Sequence, residues 1–284
     1  MFDRFQRSWD LAGECMSVLM EDKSLLVFPL LSSIALVIVI ATFAVPLIPA
    51  FSLLSHSGAV HTLSWMRYAV LFAFYWLQFS VIIFFNTALV EVALQRFDGE
   101  EAGIADGLRR AVSRLPVILV YALVAATVGA ALRIIVERVG FVGRIIVGLI
   151  GFAWSVATAL VVPVLAAEDV GPIEAIRRSV ELIKKAWGED IIGNAGIGVV
   201  FGLLMFLVAI AGGFLVVVAF SANNAAAGVL LLVVLVLAMS LLGLAYATLH
   251  GIYSAALYRY ATGDSAAGGI APRLIEGAFQ ARTT

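Results

Sequence analysis

Three polar side chains interrupt apolar runs where water should be scarce: Asn86, Glu91 and His250. A carboxylate and an imidazole at one depth could share a proton or line a vestibule for a small solute. A charge at mid-bilayer costs about 2.5–3.5 kcal/mol on insertion scales, less near an interface, so such groups usually have a partner or a task. The plain expectation is a Glu–His or Glu–Arg contact that ties helix ends together. The sharper one is a polar site for a solute or proton. A second set of charges lies between the apolar runs, in "GIADGLRRAV" (103–112) and "GPIEAIRRSV" (171–180), with a fainter relative in "RSWDL" (7–11). Paired guanidinium groups suit carboxylates or phosphates, because their donors form a planar fork. Other chemistry is thin. His56 and His61 are two candidate metal ligands with no third nearby, which favours a solvated loop. The sequence has no H-E-x-x-H, G-x-S-x-G or Walker lysine motif. "GIGVVFG" (196–202) resembles a dinucleotide fingerprint but sits inside an apolar run rather than after a strand. No catalytic, cofactor or metal residues are expected.

The elements that must hold these residues follow from composition. Of 284 residues, 63% are hydrophobic and 13% charged, against about 45–50% and about 25% in soluble domains. This is membrane composition. A formal net charge of −1 gives nucleic acid nothing to bind. The single cysteine, Cys15, rules out an intrachain disulfide and a Cys-rich metal site. The first apolar run is too long for a signal-peptide core and reads as an uncleaved anchor. Six runs are long enough to cross about 30 Å of hydrocarbon, at 25–50, 68–94, 116–136, 143–166, 191–220 and 226–257. "RIIVERVGFVGR" (133–144) reads as a turn or as two snorkelling helix ends. The short "SANNAA" connection makes the last two runs an antiparallel hairpin. Of the 18 Lys and Arg residues, 14 fall on the side of the two termini and only Arg67, Arg133, Arg138 and Arg144 on the other. Both termini are therefore expected in the cytoplasm. Of the acids, Glu137 alone then falls in an extracytoplasmic connection, which argues against a paired-carboxylate hydrolase on that face.

Each copy of the charged phrase precedes an outward-going run. In the third, Ile173, Ile176, Val180, Ile183 and Trp187 form one helical stripe, and Pro172 suits a first helical position. Glu174–Arg178 and Glu181–Lys185 are acid-first i,i+4 pairs. The first copy has a stripe through Phe2, Phe5, Trp9, Ala12, Met16 and Leu19, and the second through Ile104, Leu108, Ala111, Val112 and Leu115. The preceding runs echo one another too: "TALVEV" (87–92) with "TALVVPV" (158–164), and "ALQRFDGE" (93–100) with "ALYRYATGD" (256–264). The expected fold is all-α: six transmembrane helices in a single domain, built as three parallel repeats of an interfacial helix plus a hairpin. The repeats are 1–99, 100–168 and 169–263, with a tail at 264–284. Their axis would lie along the membrane normal. Small residues at Asn194, Gly198 and Gly202, and at Ala122, Ala126 and Ala130, suggest close helix contacts. Pro163 should kink the fourth span.

An acid stands upstream of each clear copy. Glu101 precedes Gly103 and Arg109–Arg110, as Asp169 precedes Gly171 and Arg177–Arg178. The arginines of one repeat could bridge to acids of the next and close the cytoplasmic face with ion pairs, or they could hold lipid phosphates.

The stretch "WSVATALVVPVLAAEDVGPIEAIRRSVELIKKAWGEDIIGNAGIG" (Trp154–Gly198), with "SWDLAGECMSVLMEDKSLLVFPLLS" and "LYRYATG", resembles an uncharacterised family of bacterial and archaeal six-span membrane proteins. More distantly, it is similar to the membrane domain of some glycerophosphodiester phosphodiesterases. No hydrolase domain accompanies it, so the resemblance implies a helical membrane protein and no catalytic residues. The expected function is a non-enzymatic scaffold that organises lipid or a partner at the cytoplasmic face. A small-solute channel or transporter using the Glu91–His250 level is the alternative, and a membrane-embedded lipid-modifying enzyme a distant one. Expected partners are membrane lipids and a second copy or another membrane protein, with no nucleic acid and no cofactor.

Overall fold

In hydrocarbon every backbone polar group must find a partner within the chain, which leaves long apolar segments little choice but helix. The computed structural model describes residues 23–56, 64–185, 189–222 and 224–263. They are helical throughout, with no strand among them. A 3₁₀ turn at Lys23–Leu26 leads into α1 (Val27–His56) and then α2 (Ser64–Phe97). The short α3 (Ile104–Ser113) precedes α4 (Leu115–Arg138), α5 (Phe141–Thr158), α6 (Val161–Ala167) and α7 (Pro172–Lys185). The chain continues through α8 (Glu189–Ser221) and α9 (Ala225–Thr262). Six stretches are long and apolar enough to cross a membrane: Ser24–Ala44, Ala69–Phe97, Leu115–Arg138, Phe141–Ala167, Phe201–Ser221 and Ala225–Thr262. The protein is a multi-pass helical membrane protein. The first copy of the charged phrase, Trp187, His61 and the tail from residue 264 lie outside the described residues.

The helix breaks have local causes. α3 cannot run on into α4, because Pro116 has no N–H for the Val112 carbonyl; the helix restarts with that proline in its first turn. Gly103 N–H, at the start of α3, donates to Asp106 Oδ2 at 3.0 Å, which satisfies one free donor of that end. Residues 133–144 resolve as a turn: α4 stops at Arg138 and α5 starts at Phe141. The fourth span is broken rather than gently kinked. Pro163 cannot donate to the Ala159 carbonyl, and the helix interrupts at Ala159–Leu160, one turn before it. Ala159 N–H takes the Val156 carbonyl at 3.2 Å. The displaced Leu160 N–H is met by the Ser179 hydroxyl at 3.1 Å.

The chain packs as two compact units. One comprises residues 27–94 and 102–185, the other residues 1–26, 95–101 and 186–284. In the first, the Trp76 indole of α2 donates to the Leu119 carbonyl of α4 at 2.9 Å. Ala122 and Ala126 are buried, as expected of small residues at a helix contact. α7 packs against α4, α5 and α6. Its buried residues are Ala175, Ser179, Leu182 and Ile183, whereas Ile173 is 76% exposed and Ile176 and Val180 only half-buried. The face turned inward is thus centred to one side of the expected Ile173–Ile176–Val180 stripe. Small residues permit closer approach of the helix axis, and they take the contact.

In the second unit α8 and α9 form the expected antiparallel hairpin. The Asn224 side chain caps α9 by accepting from Ala227 N–H at 3.1 Å. Close contact does not fall at Gly198 and Gly202, where an added Cβ would meet nothing within 4 Å. It falls at Gly212, where one would lie 2.6 Å from Leu235 Cδ1, and at Gly228, 2.8 Å from the Phe220 ring. Helices joined by a short turn converge near it. The Asn194 side chain lies outside the described residues. The two "AL-x-R" echoes end alike, on left-handed glycines: Gly99 at φ 82° after α2, and Gly263 at φ 79° after α9. Between them Arg259 bonds the Asp98 carboxylate, and Arg96 Nη2 donates to Ser24 Oγ at 3.0 Å.

Candidate functional site: an arginine clamp on a helix end

The last carbonyls of a helix have no partner within it and carry partial negative charge, so cations stabilise that end. α6 ends at Ala167, and two arginines from the α3–α4 junction meet it. Arg110 Nε donates to the Ala166 carbonyl at 2.7 Å and Arg110 Nη2 to the Ala167 carbonyl at 3.3 Å. Arg114 Nε donates to the Leu165 carbonyl at 3.2 Å, and Arg114 Nη2 to that of Glu168. Four successive carbonyls are covered in this way. The 110/114 spacing sets both guanidinium groups on one side of the helical path, one turn apart.

Carboxylates complete the cluster. Asp169 Oδ1 accepts from Arg110 Nη1 at 3.2 Å and lies 3.1 Å from Arg114 Nη1. Glu91, on α2, lies 3.9 Å from Arg110 Nε with its side chain 14% exposed. Arg178, on α7, donates to Glu168 Oε1 at 3.2 Å and lies 3.6 Å from Glu181. The second arginine of each Arg–Arg pair is therefore turned inward, onto acids of other segments: Arg110 onto Glu91 in the second span and Asp169 after the fourth, and Arg178 onto Glu168. The first arginine of each pair is exposed. Among the described residues Arg109 pairs with Asp106, 3.8 Å away on its own helix, and Arg177 with Glu181 at 3.6 Å. Glu101 is exposed, as is the Asp169 side chain at 79%.

The intramembrane candidates divide between the units. Glu91 and the half-buried Asn86 belong to the first, with Glu91 held by Arg110. His250 belongs to the second, where its ring stacks on Tyr246 at 5.9 Å, and Tyr246 in turn meets Phe201 at 5.8 Å. His250 Nδ1 has no hydrogen-bond partner among the described residues. No group of three His, Cys, Asp or Glu side chains able to hold a metal occurs among the described residues.

This arrangement of helices, arginines and acids lies within the stretch that a known family matches. The model of DUF6159, described as a family of unknown function, covers residues 65–269. The chain belongs to that family. No curated protein matches this DUF6159 member, and no solved structure does. The more distant similarity to phosphodiesterase membrane domains therefore has no counterpart among the matches.

Three residues that matter to the cluster were not singled out from sequence. Arg114 follows Arg110 by one helical turn, a spacing that signals a shared face. Ser179 stands where the other copy has Ala111, and that difference was the available clue. Gly107 stands where the other copy has Ala175. A Cβ there would run into the Ala88 carbonyl and lie 2.7 Å from Val92 Cγ2.

Proposed function

We propose that this DUF6159 protein is a non-enzymatic scaffold of a bacterial or archaeal inner membrane, organising lipid or a membrane-protein partner at the cytoplasmic face. The observation that carries this reading is the use made of the inward charges. Arg110, Arg114 and Arg178 are spent on helix carbonyls and on Glu91, Glu168 and Asp169, holding chain segments in register. A transport site built on Glu91 would need that carboxylate open to a solute; its contact with Arg110 supports a structural role instead.

The three-repeat organisation belongs to the same proposal. Its support is the matched burial of Gly107 with Ala175 and of Ala111 with Ser179, the matched exposure of Arg109 with Arg177, and the matched glycine ends after α2 and α9. Cytoplasmic termini rest on the 14-to-4 split of basic residues. Single cysteines at Ser57 and Asn223, both outside the described residues, should react with an impermeant thiol reagent in whole cells of a Cys15-free strain. One at Ser113 should not; the reverse pattern overturns the orientation.

The deciding experiment is purification in native-like lipid with mass spectrometry of what travels with the protein, paired with reconstitution into sealed liposomes. A scaffold retains a stoichiometric lipid or protein and leaves entrapped small solutes in place. Solute release that is lost on Glu91→Gln would replace the scaffold with a transport pathway.

A further inference from the structure

The outward arginines sit in a setting that repeats on two helices. At about 100° per residue, going round α3 from its buried face meets Gly107 and Ala111, then half-buried Ile104 and Leu108, then exposed Val112, then Arg109. Going the same way round α7 meets buried Ala175 and Ser179, then half-buried Ile176 and Val180, then exposed Ile173, then Lys184 and Arg177. In each case small residues face the protein, joined on α7 by Leu182 and Ile183; other aliphatics are left only partly covered, and a cation borders them on the open side. Val112 is 59% exposed and Ile173 76%, beside arginines whose side chains are 82% and 73% exposed.

Chain continuity fixes the depth of this edge. α3 ends at Ser113 and the membrane-crossing α4 starts at Leu115; α7 starts five residues after α6 ends the fourth span. An amphipathic helix at that level lies where the acyl region meets the headgroups. Open aliphatics find acyl carbon there, and arginines find phosphate within the reach of their side chains. The nearby carboxylates do not remove the cations from use. Asp106 and Glu181 make exposed pairs of a kind that contributes about 0–1 kcal/mol in water, and Glu174 is exposed on the same side of α7.

We propose that α3 and α7 are seated in the headgroup layer and bind anionic phospholipid, with Arg109 and Arg177 on the phosphates, Lys184 beside Arg177, and Val112, Ile173 and Ile176 at the acyl boundary. This deepens the scaffold reading by naming the lipid class, and it rests on that reading only for which leaflet is met. The near balance of acid and base makes the contact local, one phosphate to each arginine, rather than the broad field of a polybasic segment.

The test uses the full chain in nanodiscs of phosphatidylcholine, with or without phosphatidylglycerol. The readouts are thermal unfolding and the phosphatidylglycerol retained in native mass spectrometry. Arg109→Gln with Arg177→Gln should melt like the parent in phosphatidylcholine but bind phosphatidylglycerol roughly five-fold more weakly at each of the two sites, as expected for the loss of one cation at a headgroup surface. Arg109→Lys with Arg177→Lys should keep part of the binding. Arg138→Gln with Arg144→Gln, which removes equal charge between α4 and α5, should keep all of it. Equal loss in that control, unchanged binding in the Arg109/Arg177 variant, or a lowered melt in phosphatidylcholine would each overturn the proposal. So would stabilisation by inorganic phosphate matching that by the lipid. Solute release from liposomes would end the scaffold reading while leaving the lipid result standing.

Discussion

α3 and α7 carry the same phrase and fold back in the same way, yet what they lie against differs. α3 meets a continuous helix: α2 runs unbroken through Thr87–Val92, and the Gly107 backbone rests on the Ala88 carbonyl. α7 meets a broken one, since Pro163 has opened the fourth span at Ala159–Leu160. The residue after the arginine pair differs to match. Ala111 is fully buried. Ser179, just as buried, supplies the acceptor that Leu160 N–H has lost. One scaffold phrase thus serves two surfaces by changing a glycine to an alanine and an alanine to a serine. Residues that look interchangeable in a repeat are set by the hydrogen-bonding state of the helix opposite.

The comparison is sharpened most by removing the clamp on which both halves depend. Arg110→Met removes the cation beside Glu91 and uncovers the Ala166 and Ala167 carbonyls at the end of α6. Loss of one partner of a largely buried pair costs about 3 kcal/mol, and unfolding in mild detergent should show it. Next, Gly107→Ala should destabilise by about 2 kcal/mol through overpacking, although alanine is the better helix former. The reciprocal Ala175→Gly should cost only about 0.5–1 kcal/mol. If the two changes cost the same, the close approach of α3 is not what distinguishes the helices. Ser179→Ala leaves Leu160 N–H without its acceptor and should cost about 1–2 kcal/mol. In a Pro163→Ala background the span can close its own bond and that cost should shrink, a coupling of at least about 0.5 kcal/mol in a double-mutant cycle. An unchanged Ser179 effect in that background would break the link between proline and serine. Smallest of all, Arg109→Gln or Arg177→Gln should stay within about 0.5 kcal/mol in detergent, because those side chains are exposed.

The spans were legible because bilayer crossing needs only length and apolarity, and Pro163 marked where the fourth would depart from a straight helix. The acid-and-arginine phrase left open whether its arginines would meet acids of another segment or lipid phosphates. Which arginine of each pair turns inward was not legible. That depends on the phase of α3 and α7 about their axes, which a stripe of large aliphatics would set differently from what is found. Ile173 fits the stripe and is exposed; Ala175 and Ser179 do not, and are buried. Close approach depends on the smallest side chains, and their value depends on a partner surface that is distant in sequence. For the same reason Gly198 and Gly202 suggested a contact that lies instead at Gly212 and Gly228. Glu91 could be recognised as needing a partner, but choosing Arg110 required the fold.

The joint at Ala159–Leu160 also bears on how the protein meets bilayers of different thickness. The 27 residues from Phe141 to Ala167, as one unbroken helix, would be about 40 Å long and would have to tilt strongly in about 30 Å of hydrocarbon. α5 alone, with 18 residues, rises about 27 Å and can stand nearly upright. Mismatch is then taken up by bending at the joint, while α6 stays pinned by its arginines at the interface. Ser179 accepts from the opened Leu160 N–H, which lowers the cost of bringing the joint toward the lipid. The fourth span can thus adjust to thickness without moving the helices that hold its inner end.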